Sequence, residues 1–378
     1  MPNRLWAGLD VGIVTTNVCV INDLGEVLHE AACPSLLKNV HRELAFLRRR
    51  RHARVGLEAA TGMTLARGLR SLGYSVDIYE ARQLSKFLRI RRNKTDSGDA
   101  RGIAEAGRIG ASTVSKVHLK SLDCQMLQSQ LAIRRHLVRQ RVAAVNLLAR
   151  QVELYGGRLR WRKLAHLRPD AEAELKTLFG KSSTPLTCEL RHLIDHCEQL
   201  IIHQLAVDRD LKLWADENET CRRFMEIPGV GPLCALSFYA AVGEPSRFPR
   251  SADIASYLGL APRIYQSGIS CRQGRISKMG NKIARGALVG AATSFMRWSV
   301  PDSELRLWTL GIEQRRGRGK SRVALARKLA AIMLAIWKKG EAYAPRLSND
   351  SGPALGDEAG GGRSPMPRAC APPEAFCS

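Results

Sequence analysis

The chain has 378 residues, 45% hydrophobic and 25% charged, enough for two or three domains with buried cores. Lys and Arg number 59 against 35 Asp and Glu, a net charge of +24, which points to a polyanionic partner, nucleic acid ahead of an anionic membrane surface. No run of about 18 apolar residues argues for a membrane span, and Met1–Ala7 lacks the layout of a signal peptide. The ten cysteines are scattered with no C-x-x-C pair, which argues against zinc and predicts reduced thiols in a cytoplasmic protein.

Residues 4–110 read as mixed α/β. Leu5–Val11, Thr16–Ile21 and a strand near Glu26–Ala31 form a predicted meander, with a turn at Asn22-Asp23-Leu24-Gly25. A helix around Val40–Arg50, a buried strand Arg54–Leu57 ending in Glu58, a helix Thr64–Leu72 closed by Gly73 and a strand Tyr74–Tyr79 follow. Strands alternating with helices after a meander predict one central sheet with helices packed on it.

Residues 115–215 change character. Leu127, Leu131, Val138, Val142 and Val145 recur at helical spacing, as do Leu193, Cys197, Leu200, Ile201 and Leu205. This predicts two long helices, interrupted at Gly156-Gly157 and Lys181–Pro185, serving as a spacer or oligomerisation arm. Residues 221–343 form a Gly- and Arg-rich unit ending in an amphipathic helix with Leu325, Leu329, Ile332, Met333 and Ile336 on one side. From Pro345 the chain is Pro-, Gly-, Ala- and Ser-rich without periodicity, the signature of a disordered tail. The expected division is 1–114, 115–215, 216–344 and 345–378.

Four acids stand out. Asp10 and Glu58 end predicted strands, and Asp96 and Asp99 lie three apart, on one face of a helix. Converging carboxylates repel unless a hard cation neutralises them. Mg²⁺ takes oxygen ligands, and two such ions clamp the attacking and leaving oxygens of a phosphodiester. Each acid also has an ordinary reading, as a turn former, a helix-start charge or an N-cap. Gly8-Leu9-Asp10-Val11-Gly12 with Thr15-Thr16 further resembles the first phosphate loop of sugar kinases, although no second or third nucleotide loop is evident.

The C-terminal unit opens on Ile227-Pro228-Gly229-Val230-Gly231 before an apolar helix Leu233–Ala241, similar to a helix-hairpin-helix in which the amides of Gly229 and Gly231 face a DNA phosphate. Tyr257–Arg263, Tyr265–Gly268 and Gly274–Asn281 follow, where Arg263, Arg272, Arg275 and Lys278 are candidates to hold phosphates. Ser267 precedes a glycine, as many turn serines do. As a nucleophile it needs a base or a metal, and no histidine lies nearby in sequence.

Gly8-Leu9-Asp10, Leu57–Gly62 and Asn93–Ala100, together with Ile227–Gly231, Tyr257–Arg263, Gln266–Gly268 and Ile276–Asn281, resemble the DEDD insertion-sequence transposases related to Piv-type DNA invertases, over about residues 4–343. The resemblance implies a RuvC-like, RNase H-fold N-terminal domain, a long helical coiled-coil spacer and a mostly α C-terminal transposase domain. It implies that Asp10, Glu58, Asp96 and Asp99 bind Mg²⁺. Ser267, ahead of Ser270 and Ser277, is implied to attack a DNA phosphate and form a covalent phosphoserine link. Donor and target DNA, a structured noncoding bridge RNA and a homo-oligomer are the implied partners. The alternatives are a RuvC-like nuclease that uses water, a non-enzymatic nucleic-acid-binding protein and the phosphate-loop kinase.

Overall fold

The computed structural model describes residues 4–50, 52–59, 62–89, 95–110, 114–160, 164–180, 184–267, 270–298 and 303–345. The tail proposed from Pro345 onward therefore lies, from residue 346, outside the described residues. The chain divides into two units, residues 1–120 and 121–378.

The first unit is built on a five-stranded sheet. Strands β1 (Trp6–Val11), β2 (Thr15–Ile21) and β3 (Val27–Pro34) form the antiparallel meander. The chain then passes through α1 (Leu37–Leu44) and a 3₁₀ turn (Ala45–Arg49) to β4 (Arg54–Glu58), α2 (Met63–Ser71), β5 (Val76–Tyr79), α3 (Ala81–Leu88) and α4 (Asp96–Ile109). The sheet order is β3-β2-β1-β4-β5, with β1, β4 and β5 parallel. The predicted helix at Val40–Arg50 is thus shorter and earlier, and α3 went unread because its eight residues give too little periodicity.

Alternation of side chains sorts the sheet into two faces. Ala7, Leu9, Val55, Leu57, Val76 and Ile78 turn to one face, where they pack with Val40 and Leu44 of α1 and Leu65, Ala66 and Leu69 of α2. The opposite face carries Trp6, Gly8 and Asp10 of β1 and Gly56 and Glu58 of β4, and α4 covers it. Both glycines are there because α4 and its neighbours come close. A β-carbon on Gly8 would lie 2.0 Å from the Ala100 carbonyl oxygen and 2.4 Å from the Ala104 nitrogen. One on Gly56 would meet the Tyr79 ring at 2.6 Å. Trp6 lies beside Gly107. Helix α4 therefore runs opposite to β1, its last turns over Trp6 and its first turn toward Asp10.

The second unit is helical apart from one ribbon. It comprises α5 (Leu122–Leu154), α6 (Leu167–Phe179), α7 (Pro185–Glu217), α8 (Glu219–Met225), α9 (Pro232–Val242), α10 (Ser251–Tyr257), the antiparallel strands β6 (Pro262–Ser267) and β7 (Ser270–Ile276), α11 (Lys282–Trp298), α12 (Glu304–Arg316) and α13 (Arg318–Lys339). Ser121 caps α5 through the Cys124 amide, and Thr184 with Pro185 opens α7 with a capping box. The two long helices fall where the sequence places them, but they are not a free-standing spacer. Leu127 and Leu131 of α5 and Leu211 and Ala215 of α7 belong to the same core as α9, α11 and α13. Ala144, Val145, Leu148 and Val152 of α5 instead pack with α6 and with Leu190, Ile194 and Cys197 of α7. Val142, read as part of the seam, is exposed, while Val145 of the same seam is buried. Arg134 of α5 and Asp208 of α7 form an ion pair between the two helices.

Among the described residues no helix is long and apolar enough to cross a membrane. Among the described residues, Cys19, Cys33, Cys124, Cys188, Cys197, Cys221 and Cys234 are not joined in disulfides.

Candidate active site

The parallel pairing of β1 and β4 aligns Leu9 with Leu57, so Asp10 and Glu58 each follow that pair by one residue, on the face covered by α4. Thr95 caps α4 through the Gly98 amide, 3.1 Å away, and fixes where the helix begins. Asp96 and Asp99 then fall in its first turn, where their charge also favours the helix dipole. Packing of Gly8 on Ala100 brings that turn toward the end of β1.

The electrostatics report the convergence. The Glu58 carboxyl is pushed above its ordinary range, first by burial and then by the negative charges of Asp10, Asp99 and Glu80. Two of the other three predicted acids, Asp10 and Asp99, thus act on Glu58. Asp96 is not among the groups acting on Glu58 and is exposed.

Glu80 is an acid the sequence reading missed. It follows β5, which pairs Tyr79 with Glu58, so an acid stands just past the end of β5 as Asp10 and Glu58 stand toward the ends of β1 and β4. Its side chain accepts a hydrogen bond of 2.8 Å from the Gln83 amide and caps α3. The signal was present as an acid directly after a strand, but α3, which it caps, was not recognised.

The donor set is all carboxylate oxygen, the chemistry that suits Mg²⁺. Among the described residues, however, no group of three or more His, Cys, Asp or Glu side chains is already arranged to hold a metal ion. The two observations are compatible. The Glu58 carboxyl is pushed up by burial and by neighbouring acids, the electrostatic setting that a divalent cation would relieve.

In the second unit the motifs around the ribbon interlock. The Ser277 amide donates to the Ala261 carbonyl at 2.8 Å and the Lys278 amide to the Gly259 carbonyl at 3.1 Å. Gly259 has φ +70°, and a β-carbon there would lie 1.9 Å from the Met279 carbonyl oxygen, so only glycine fits. Arg285 ties both segments together, donating to the Leu258 carbonyl at 2.9 Å and the Met279 carbonyl at 3.1 Å. This brings Tyr257–Arg263 and Ile276–Asn281 to the base of the ribbon.

Ser267 is the last residue of β6, in register with Ser270. The predicted turn glycine, Gly268, lies outside the described residues, as do Ile269 and the side chains of Ser267, Ser270 and Cys271. Arg272 and Arg275 are exposed on β7, and Lys278 is exposed with φ 56°. Arg263 donates to the Ser277 carbonyl at 3.1 Å. Gly231 is exposed at the start of α9. Gly229 is packed, since a β-carbon there would lie 2.3 Å from the Phe295 nitrogen of α11.

The chain matches the DEDD transposase family of IS110 over residues 7–156 and the transposase family of IS116, IS110 and IS902 over residues 221–306. It belongs to the IS110 family of DEDD transposases. The transposase of insertion sequence IS1111A from Coxiella burnetii is 32% identical over 259 residues, 67% of this chain and 69% of that protein. A probable family 20 transposase of Pseudomonas aeruginosa is 29% identical over 285 residues, 74% of this chain and 82% of the other. The pilin gene-inverting protein of Moraxella bovis is 30% identical over 185 residues, 46% of this chain and 52% of its own length. This transposase is therefore an enzyme that cuts and rejoins DNA. The kinase reading of Gly8–Gly12 falls away with the family match. Gly8 has a packing role against α4 instead, and the Gly12 amide is taken by the Thr15 carbonyl, 3.0 Å away.

Proposed function

We propose that the transposase moves its insertion sequence through a serine–phosphate intermediate. Asp10, Glu58, Asp96 and Asp99 are read as the Mg²⁺ ligands of an RNase H-like domain and Ser267 as the nucleophile. The reading rests on the placement of Asp10 and Glu58 toward the same end of the paired strands β1 and β4, on the sheet face that α4 covers with Asp96 and Asp99 in its first turn. When bound, Mg²⁺ supplies charge neutralisation at the phosphate and lowers the pKa of a coordinated oxygen.

The chain's own residues would perform the rest. The Ser267 hydroxyl attacks phosphorus and gives its proton to a base. The Oγ–P bond forms as the P–O bond to the leaving deoxyribose oxygen breaks, and that oxygen leaves protonated. Attack by the hydroxyl of the exchanged strand reverses these steps and frees the serine, so no phosphodiester energy is lost to water. Arg263, Arg272, Arg275 and Lys278, with the amides of Gly229 and Gly231, are proposed to hold the DNA backbone. A noncoding guide RNA and a homo-oligomer whose subunits share the site complete the reading. The net charge of +24 suits both RNA and DNA.

The test incubates the purified protein with its flanking noncoding RNA, Mg²⁺ and labelled donor and target DNA. A denaturation-resistant protein–DNA adduct that disappears in Ser267→Ala is the expected result. Cleavage without an adduct, unchanged by Ser267→Ala, would replace this reading with a hydrolytic nuclease.

A further inference from the structure

The ribbon β6–β7 carries a feature that the proposed chemistry leaves unused. Tyr265 is 56% exposed, although it sits within a strand. It is two residues before Ser267, hence at a position on the same ribbon face, and it pairs directly with Arg272 across the strands. The register shifts between Pro262 and Ile264, so that β7 holds one extra residue where Gly274 stands. At that irregularity a β-carbon on Gly274 would lie 2.8 Å from Cε2 and 3.5 Å from Cδ2 of Tyr265. The ring therefore rests on the bare α-carbon of Gly274, while much of its surface faces outward.

The ribbon has only two strands, which is marginal by itself, and it also exposes Ile264. Its charge says what the aromatic surface meets. The stretch 262–278 holds Arg263, Arg272, Arg275 and Lys278 and no acid. Arg263 is engaged at the base of the ribbon by the Ser277 carbonyl. Among the described residues no acid forms an ion pair with Arg272, which stands opposite Tyr265. An open aromatic face beside an available guanidinium matches an unpaired nucleotide, its base against the ring and its phosphate at the arginine.

We propose that Tyr265 is a stacking platform for an unpaired deoxynucleotide, seated on Gly274 and paired with Arg272, which positions the DNA strand beside Ser267. This deepens the serine reading by assigning a residue that holds the substrate without reacting. Tyr265 is a positioning residue, and its ring matters where its hydroxyl does not. An apolar contact with a second copy would use the same exposure but would not need Arg272.

The experiment uses the full chain and a short single-stranded oligodeoxynucleotide containing 2-aminopurine, followed by anisotropy and by 2-aminopurine quenching. Wild type and Tyr265→Phe are expected to bind and quench alike, with Tyr265→Ala weaker on the order of tenfold and without quenching. Gly274→Ala, which keeps every functional group but displaces the ring, is expected to fall between them. Matching circular dichroism and melting curves establish that the variants fold. Equal binding and quenching by Tyr265→Ala would overturn the proposal, as would a Tyr265→Phe variant as weak as Tyr265→Ala. Loss of self-association with unchanged DNA binding would overturn it in favour of a protein contact. Ser267→Ala should bind and quench like wild type, so failure of the covalent mechanism leaves this measurement intact.

Discussion

Gly8 and Ala100 stand so close that a β-carbon on residue 8 would sit 2.0 Å from the Ala100 carbonyl oxygen. That approach lets α4 lie directly on β1 and sets the first turn of α4, with Asp96 and Asp99, toward Asp10. Gly8→Ala forces the helix outward. Overpacking of this kind costs about 1–3 kcal/mol, read as a lower midpoint in chemical denaturation. Strand transfer by the remaining folded protein should fall further than stability does, because the acids are displaced together. Wild-type activity per folded molecule in Gly8→Ala would break the link between this contact and the site.

Glu58 offers a test of sign. Its carboxyl is held above the ordinary value by burial and by Asp10, Asp99 and Glu80. A raised carboxylate pKa means that ionisation opposes folding, so stability is lost as pH rises through the folded-state value. Glu58→Gln should therefore melt higher than wild type at pH 7–8 while losing strand transfer. Mg²⁺ should raise the melting temperature of wild type more than that of the variant, since it neutralises the charge the variant lacks. A Glu58→Gln protein that melts lower at neutral pH would contradict the repulsion.

Asp77 should respond in the opposite direction. It is 5% exposed and accepts hydrogen bonds from Arg54 at 2.7 Å twice and from Lys116 at 2.9 Å. Burial alone would raise its pKa, but the two cations outweigh burial and hold the carboxyl below its ordinary value. A depressed pKa contributes stability that is complete above the unfolded carboxylate value of about 3.9 and is lost as pH falls through the folded one. Asp77→Asn should cost about 2 kcal/mol at pH 7, with the difference from wild type shrinking below pH 4. A constant difference between pH 7 and pH 3 would show that the effect is packing instead of charge.

The base of the ribbon should be sensitive to single atoms. Arg285 reaches the Leu258 and Met279 carbonyls from one nitrogen of its planar guanidinium, whereas a lysine ammonium sits on a shorter, flexible stem that fixes no such geometry. Arg285→Lys should leave α11 folded but loosen the ribbon, seen as faster amide exchange at Ser277 and Lys278, whose amides donate to Ala261 and Gly259. Gly259→Ala, with φ +70° and the Met279 carbonyl in the way, should do the same and destabilise the second unit more. Unchanged exchange in both variants would mean that the interlock does not hold the ribbon.

Much of this architecture is legible in the residues. The apolar run Leu5–Val11, the β-branched stretch Thr16–Ile21 and the turn at Asn22–Gly25 predict the meander, because strand and turn preferences are local properties. Asp10 and Glu58 at strand ends and Asp96 and Asp99 on one helix face are equally local, and the motif order carries the family. The two long helices within 122–217 follow from periodicity, whereas the shorter α6 between them goes unread. Only the folded chain decides which strands are neighbours, and so that Asp10 and Glu58 stand toward the same end of paired strands and Glu80 adds a third acid just past the end of β5. It alone divides α5 between two cores, and it alone shows Gly8 under Ala100, Gly259 under Met279 and the Tyr265 ring on Gly274. These are close approaches between segments distant in sequence. A glycine states locally that something can come near, but the identity of what comes near is set by the packing of the whole unit.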